Sequence, residues 1–325
     1  MTPTVAGSAP SETTARAVAF VAANRDPAEA LGTALADLAN DPDAFASTFT
    51  QGVAALSDPD YLAGQERVAP GIGSLHGIRS PLLAAVQRGF GNATKRERPT
   101  PLLFIADRLF RERELEARWF AFGLLERTLG AETERTWQLL RRAAREAGDW
   151  ITVDSLAHPY GKGIAMEPYR WAELEQLVYS PSRWERRLVG STIATMTHVD
   201  GRRARDPEVA GHALPLLASL MGDDEPDVQK ALAWAYRSLT VVNRPATEAA
   251  LRAETERAAR TADGHRAWVI RDTLTKLDPA TADDLRSRLA GIRKRSGAPA
   301  TSAAAEAASR FGRLPDPAQH PEPPL

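Results

Sequence analysis

The stretch LLFIADRLFRERELEARWFAFGLLERTLG, residues 102–130, decides the fold class. Its apolar residues return every three or four positions, so that Leu102, Ile105 and Leu109 share one face, and the same spacing continues from Leu115 to Leu125. This is the period of an α-helix and not the alternation of a half-buried strand. Most of the remaining chain has the same spacing and is rich in Ala, Leu, Glu and Arg. The sequence therefore predicts an all-α protein.

Asp-Pro pairs predict where several helices begin. The pairs at residues 26, 206 and 278 each place an Asp at the N-cap and a Pro at the first helical position. The pair at residue 26 accordingly predicts two separate helices near the N-terminus, over residues 11–24 and 27–39.

From residue 100 onward the predicted helices form pairs with a spacing near 40 residues. This spacing predicts a HEAT-like helical-repeat solenoid, an α–α superhelix with a concave binding face. The segment PYGKG, residues 159–163, follows a predicted helix over residues 149–157. It is interpreted as a turn, because a phosphate-binding glycine loop would follow a strand.

Composition divides the chain into three parts. Residues 1–57 are predicted to be an acidic helical extension, because residues 1–60 carry eight acidic and two basic side chains. Residues 58–295 are predicted to form the main domain. Residues 296–325, rich in Ala and Pro, and the first ten residues are predicted to be disordered.

Composition also excludes several classes of protein. With 41 Lys and Arg against 42 Asp and Glu, the chain is no uniformly basic nucleic-acid binder, although a local basic groove stays possible. The absence of Cys excludes disulfides, Cys-ligated metal centres and a Cys nucleophile. The six His are isolated, which gives a His metal site little support. Without a membrane-spanning apolar run or a secretory signal, a cytoplasmic protein with no membrane partner is expected.

The segment DWITVD, residues 149–154, is the first candidate for chemistry. Trp150 and Asp154 lie at positions i and i+4 and share a helix face, where a carboxylate and an indole ring can stabilise a cation between them. The structural alternative is that Asp149 caps the helix, Trp150 packs in the core and Asp154 is solvated.

Three further segments are basic. In SRWERR, residues 182–187, three Arg oppose the dipole at a helix start, which indicates ion pairing or an anionic ligand. Lys230, Trp234 and Arg237 share a helix face that suits either a nucleic-acid backbone or core packing with solvated cations. The run at residues 286–295 has five cations and no anion, and is either solvated or in non-specific contact with nucleic acid.

Taken in order, these segments resemble the DNA alkylation repair family of HEAT-like DNA glycosylases. The resemblance covers about residues 60–277 of this all-helical chain. It includes segments similar to the family's W-x-x-x-D, N-x-W-x-R-R and Q-K-A-x-x-W-x-x-R patterns. The segments that carry it are residues 77–81, 113–121, 149–154, 182–187, 229–237 and 271–274.

The resemblance implies a monofunctional glycosylase that hydrolyses the N-glycosidic bond of cationic N3- or N7-alkylated purines in duplex DNA, with no metal or organic cofactor. It implies that Asp154 faces the sugar and the attacking water. Trp150 and Trp234 would pack against the deoxyribose of the lesion, and Arg187 would hold a backbone phosphate. The further phosphate contacts that it implies on the concave face are Arg186, Lys230, Arg237 and Arg271.

Several alternatives remain open at this level. The adducts are either methyl groups or bulky groups, as in self-resistance to an alkylating natural product. The competing classes are a non-enzymatic helical scaffold that binds protein or DNA, and a DNA-binding relative that has lost excision. Salt-dependent DNA binding separates the DNA binders from a protein scaffold, and only base release identifies the enzyme. A monomer with double-stranded DNA as its partner is the expectation.

Overall fold

The computed structural model describes residues 11–69, 73–197 and 207–311. Within these ranges the regular elements are helices and no strand is present, which confirms the all-α prediction. No helix in this part of the chain is long and apolar enough to cross a membrane. The chain forms two compact units that divide between Glu132 and Thr133, and each is described separately below.

The first unit has an aromatic core to which the acidic N-terminal region contributes. Phe45 and Phe49 pack against Phe120, with ring centroids 5.9 and 4.9 Å apart, and Phe45 also contacts Phe90 edge-on. The apolar faces of the helices within residues 11–57 thus pack into the core of the first unit, which charge composition does not report. The helices are α1 Glu12–Leu35, α2 Pro42–Ala55, α3 Pro59–Val68, α4 Ser80–Ala93, α5 Pro99–Leu109 and α6 Leu115–Thr128.

Helix α1 continues through Pro27, where the sequence predicts a break. Proline removes one hydrogen bond, to the carbonyl of Ala23, and both residues are exposed, so water can solvate that carbonyl. On the opposite face Ala28 and Leu35 are fully buried, and α1 packs along α4. Burial of this face maintains one continuous helix.

In the second unit, four helices pack side by side, each against the next: α8 Trp150–Met166, α10 Arg183–Met196, α12 Pro226–Val242 and α14 Gly264–Thr273. Helix α10 lies in the middle, and its residues from Arg187 to Met196 are all buried. A Cβ atom at Gly190 would lie 2.8 Å from a backbone carbon of Ala231, so glycine permits the close approach of α10 and α12. The helices are α7 Thr133–Glu146, α8 Trp150–Met166, α9 Trp171–Val178, α10 Arg183–Met196, α11 Pro207–Leu220, α12 Pro226–Val242, α13 Arg244–Thr261, α14 Gly264–Thr273, α15 Pro279–Arg288 and α16 Ala303–Phe311.

Residues 159–163 are helical, which corrects their interpretation as a turn, since α8 runs through Pro159. A Cβ atom at Gly163 would lie 2.8 Å from the ring of Trp137 on α7. Glycine at this position serves close packing of two helices, a long-range requirement that the local sequence does not reveal.

Residues 303–311 form helix α16, where the sequence predicts disorder. The amide of Thr301 donates to the carbonyl of Gly222 at 2.8 Å, and Ala304 on α16 is 3% exposed. Its alanines form a small apolar face, which composition alone does not distinguish from a disordered tail. Residues 312–325 and the first ten residues lie outside the described chain.

Of the three Asp-Pro helix starts, the one at residue 278 is confirmed. The Asp278 carboxylate accepts from the Thr281 amide at 3.0 Å, and α15 begins at Pro279. Helix α11 begins at Pro207, whereas Asp206 lies outside the described residues.

Candidate functional site

Helices α8 and α10 bring Asp154 and Arg187 together. The guanidinium of Arg187 donates from Nε to Asp154 Oδ1 at 3.1 Å and from Nη2 to Oδ2 at 2.7 Å. The Ser191 hydroxyl, one turn further along α10, donates to Oδ1 at 2.6 Å. Two charge-assisted bonds and a hydroxyl therefore stabilise the ionised carboxylate in one orientation. Sequence reasoning missed Ser191, and the only signal was its i+4 spacing from Arg187.

Arg187 joins three helices. Its Nη1 donates to the main-chain carbonyl of Asp227 on α12 at 2.7 Å and lies 3.9 Å from the Asp227 carboxylate. Its side chain is only 6% exposed. In the structure Arg187 is the partner of Asp154, and its predicted contact with a phosphate stays a prediction.

Trp150 lies at the open edge of this cluster. The Asp149 carboxylate accepts from the Thr152 amide at 2.8 Å, which caps α8 and places Trp150 in its first turn. Asp149 thus behaves as the structural alternative predicts. Trp150, however, is 36% exposed and is not a core residue. Asp154 follows one turn later with its side chain 21% exposed, and the Arg187 guanidinium carbon lies 5.9 Å from the Trp150 ring centroid.

Lys230 and Trp234 lie on the face of α12 that also carries Asp227, at i, i+3 and i+7. Lys230 is exposed and has no hydrogen bond or ion pair with the described part of the chain, and Trp234 is half-buried. This face begins next to Arg187, because Asp227 contacts the guanidinium. The sequence-predicted residues on α8, α10 and α12 therefore belong to adjacent helices.

The other predicted phosphate contacts bond within the protein. Arg186 donates from Nε to Asp223 at 2.7 Å, and Arg237 forms an ion pair with Asp272. Arg271 donates to two main-chain carbonyls after α15 at 2.6 and 2.7 Å, and burial, together with the nearby Arg293, lowers its pKa. Each of these three side chains is already bonded within the protein, so a phosphate would bind to its remaining N–H donors or replace a present partner.

This arrangement can stabilise positive charge and orient a water molecule. Asp154 Oδ2 accepts one hydrogen bond in the structure, and a carboxylate oxygen can accept a second. The exposed indole beside it offers a face that attracts a cation. A cationic group with a water molecule against it fits the chemistry of both side chains.

Comparison with known proteins assigns the chain to a family. A family model described as DNA alkylation repair enzyme matches residues 49–265, more than half of the chain. The chain therefore belongs to the DNA alkylation repair enzyme family. The matched range contains Trp150, Asp154, Arg187, Ser191 and the Lys230–Trp234 pair.

Among solved structures, the chain is similar to one described as a predicted DNA alkylation repair enzyme from Enterococcus faecalis. The two share 16% sequence identity with a TM-score of 0.50, over 60% of this chain and 89% of that one. At this identity the likeness supports the all-α helical-repeat fold alone. A search of curated proteins found no match.

Proposed function

We propose that this member of the family is a DNA glycosylase that hydrolyses the N-glycosidic bond of cationic N3- or N7-alkylated purines in duplex DNA. The observation that carries the proposal is the Asp154 carboxylate, held by Arg187 and Ser191 beside the exposed Trp150. The enzyme is monofunctional and leaves an abasic site, and the reaction uses no metal or organic cofactor.

Hydrolysis of this glycosidic bond needs little acid catalysis of the departing base. An alkylated purine carries a positive charge, so when the bond from C1′ to the base nitrogen breaks, the electron pair neutralises the base. The sugar becomes oxocarbenium-like, as in glycoside hydrolysis generally. A water oxygen then bonds to C1′, and its proton passes along the hydrogen bond to Asp154 and from there to the solvent. Asp154 stabilises the sugar cation electrostatically and accepts a hydrogen bond from that water.

Arg187 acts in this scheme by holding Asp154, and not by clamping a phosphate. It fixes the position of the carboxylate before the substrate arrives, which is the condition for electrostatic stabilisation of a transition state. Trp150 and Trp234 provide ring faces for the deoxyribose and its cation. Lys230, exposed on the same face as Trp234, contacts the DNA backbone.

The decisive experiment is single-turnover base release from duplex DNA that contains N7-methylguanine, N3-methyladenine or a bulky N3-alkyladenine. The wild type is compared with Asp154→Asn, and with Asp284→Asn as a control that removes a surface carboxylate already paired within α15. We expect Asp154→Asn to lower the rate by about 100-fold or more at unchanged DNA affinity. Asp284→Asn should have no effect.

Each outcome separates the functions considered for the chain. Full activity in Asp154→Asn contradicts the role of Asp154. Release of the bulky base alone identifies the adduct class. DNA binding without any release identifies a binding-only relative, and the absence of both identifies a scaffold for a protein partner.

A further inference from the structure

A cavity of about 430 Å³ lies near the C-terminus of the described chain, away from the Asp154 cluster. It is an open cavity lined by the end of α13, the start of α14 and residues between 293 and 301. Arg257, Arg293 and Arg295 line it, together with Arg266. Three of these four lie beyond residue 265, where the match to the family model ends. The proposed glycosylase reaction uses none of these four residues.

Of the five cations in residues 286–295, three bond to other side chains of the described chain and two do not. Arg286 and Arg288 each pair with an aspartate on α15. Lys294 donates to a glutamine side chain on α12 at 2.9 Å. The remaining two, Arg293 and Arg295, hereafter the loop arginines, are exposed and have no hydrogen bond or ion pair with any described residue. Both line the cavity.

The cavity has an excess of positive charge. Arg266 is buried and pairs with both Glu254 and Asp263, which leaves that cluster one negative charge in excess. Arg257 has Glu254 as its nearest acidic partner at 4.0 Å, the limit of an ion pair. Together with the loop arginines, Arg257 brings the local balance to two positive charges.

The backbone that carries the loop arginines is held in place. Arg271 donates to the carbonyls of Leu289 and Ile292, and the His265 ring lies 3.0 Å from the carbonyl of Ala298. The loop is thus bonded on both sides of Arg293 and Arg295. The pKa of Arg271 is lowered by burial first and by the nearby positive charge of Arg293 second.

We propose that this cavity binds a phosphate group. Planar guanidinium groups donate pairs of parallel hydrogen bonds to phosphate oxygens, and three arginines besides Arg266 line this cavity, which carries two uncompensated positive charges. The phosphate comes from the DNA backbone or from a free phosphate ion. Lys294 connects this loop to Gln229, the residue before Lys230, so a duplex that contacts Lys230 is the nearer source.

The test compares Arg293→Ala/Arg295→Ala with Arg286→Ala/Arg288→Ala, which removes the same charge from the same segment. Fluorescence anisotropy measures the affinity of each full-length protein for an undamaged duplex from 50 to 300 mM salt. Loss of one contact with the DNA backbone lowers the magnitude of the slope of log K against log salt by about 0.9. Near 0.1 M salt this corresponds to a loss of affinity of about tenfold. In parallel, thermal unfolding is measured with inorganic phosphate and with chloride at equal ionic strength.

Arg293→Ala/Arg295→Ala is called the loop variant. If the slope of log K against log salt is smaller in the loop variant and unchanged in Arg286→Ala/Arg288→Ala, the proposal is supported with DNA as the source of the phosphate. If the slope is unchanged but inorganic phosphate raises the melting temperature of the wild type and not that of the loop variant, the proposal is supported with free phosphate as the ligand. The proposal is overturned if neither measurement distinguishes the loop variant from the wild type, or if both variants lose the slope equally. Neither measurement requires base release, so the result is independent of the proposed glycosylase activity.

Discussion

Replacing Arg187 by alanine tests the central contact of the candidate site. The substitution removes two hydrogen bonds to Asp154 and one to the Asp227 carbonyl, and it leaves the Asp154 carboxylate with the Ser191 hydroxyl alone. Breaking a buried ion pair from one side costs about 3–5 kcal/mol. Because the Asp154 side chain is 21% exposed, water recovers part of this. We expect the free energy of unfolding to fall by about 3 kcal/mol, at the low end of that range.

The assay is urea unfolding followed by far-ultraviolet circular dichroism, with the slope m compared between variants. The matched control is Arg183→Ala on the same helix. That side chain is 47% exposed and lies 3.5 Å from a surface glutamate, so its loss should cost less than about 1 kcal/mol. A double-mutant cycle of Arg187→Ala with Asp154→Asn should give a coupling free energy of about 2 kcal/mol.

An Arg187→Ala protein as stable as the Arg183→Ala control, with a coupling free energy near zero, would refute the ion pair. Arg187 would then be available to DNA, as the sequence resemblance implies. In that case its removal should lower the salt slope of DNA binding by about 0.9. The stability and binding measurements therefore distinguish the two roles of this arginine.

Two further predictions follow from single hydrogen bonds. Ser191→Ala removes one of three bonds to Asp154 and should lower the base-release rate about tenfold, at unchanged DNA affinity. Thr301→Val should lower the free energy of unfolding at neutral pH by about 1 kcal/mol, because it removes a hydrogen bond to the Asp263 carboxylate. Burial alone would raise the pKa of Asp263, but hydrogen bonds from the Thr301 hydroxyl and from Arg266 outweigh burial, and the pKa is lowered. A lowered pKa stabilises the folded chain above about pH 4, so the difference between wild type and variant should shrink as acid protonates Asp263.

A specific result would contradict each of these two predictions. For Ser191, a weaker DNA affinity at unchanged rate would place its effect on binding, and Ser238→Ala, another buried serine, serves as the control. For Thr301, a stability difference that stays constant from pH 7 to pH 3 in urea unfolding would show that the bond to Asp263 carries no charge-linked stabilisation.

The sequence alone determined the elements that depend on neighbouring residues. The three- and four-residue apolar spacing is a local property of the helix, and it correctly predicts an all-α chain. The i, i+4 relation of Trp150 and Asp154 and the cap at Asp278 follow from helix geometry within a single turn. Those parts of the site that lie within one helix were therefore accessible from the sequence.

The tertiary structure decided which side chains meet between helices. The guanidinium of Arg187 and the hydroxyl of Ser191 reach a carboxylate more than thirty positions away, because α8 and α10 pack together. The same long-range packing carries α1 through Pro27 and separates the two loop arginines from three cations that bond internally. Local periodicity specifies the helices, whereas the pairing of charges depends on burial and on distances that exist only once the helices have packed.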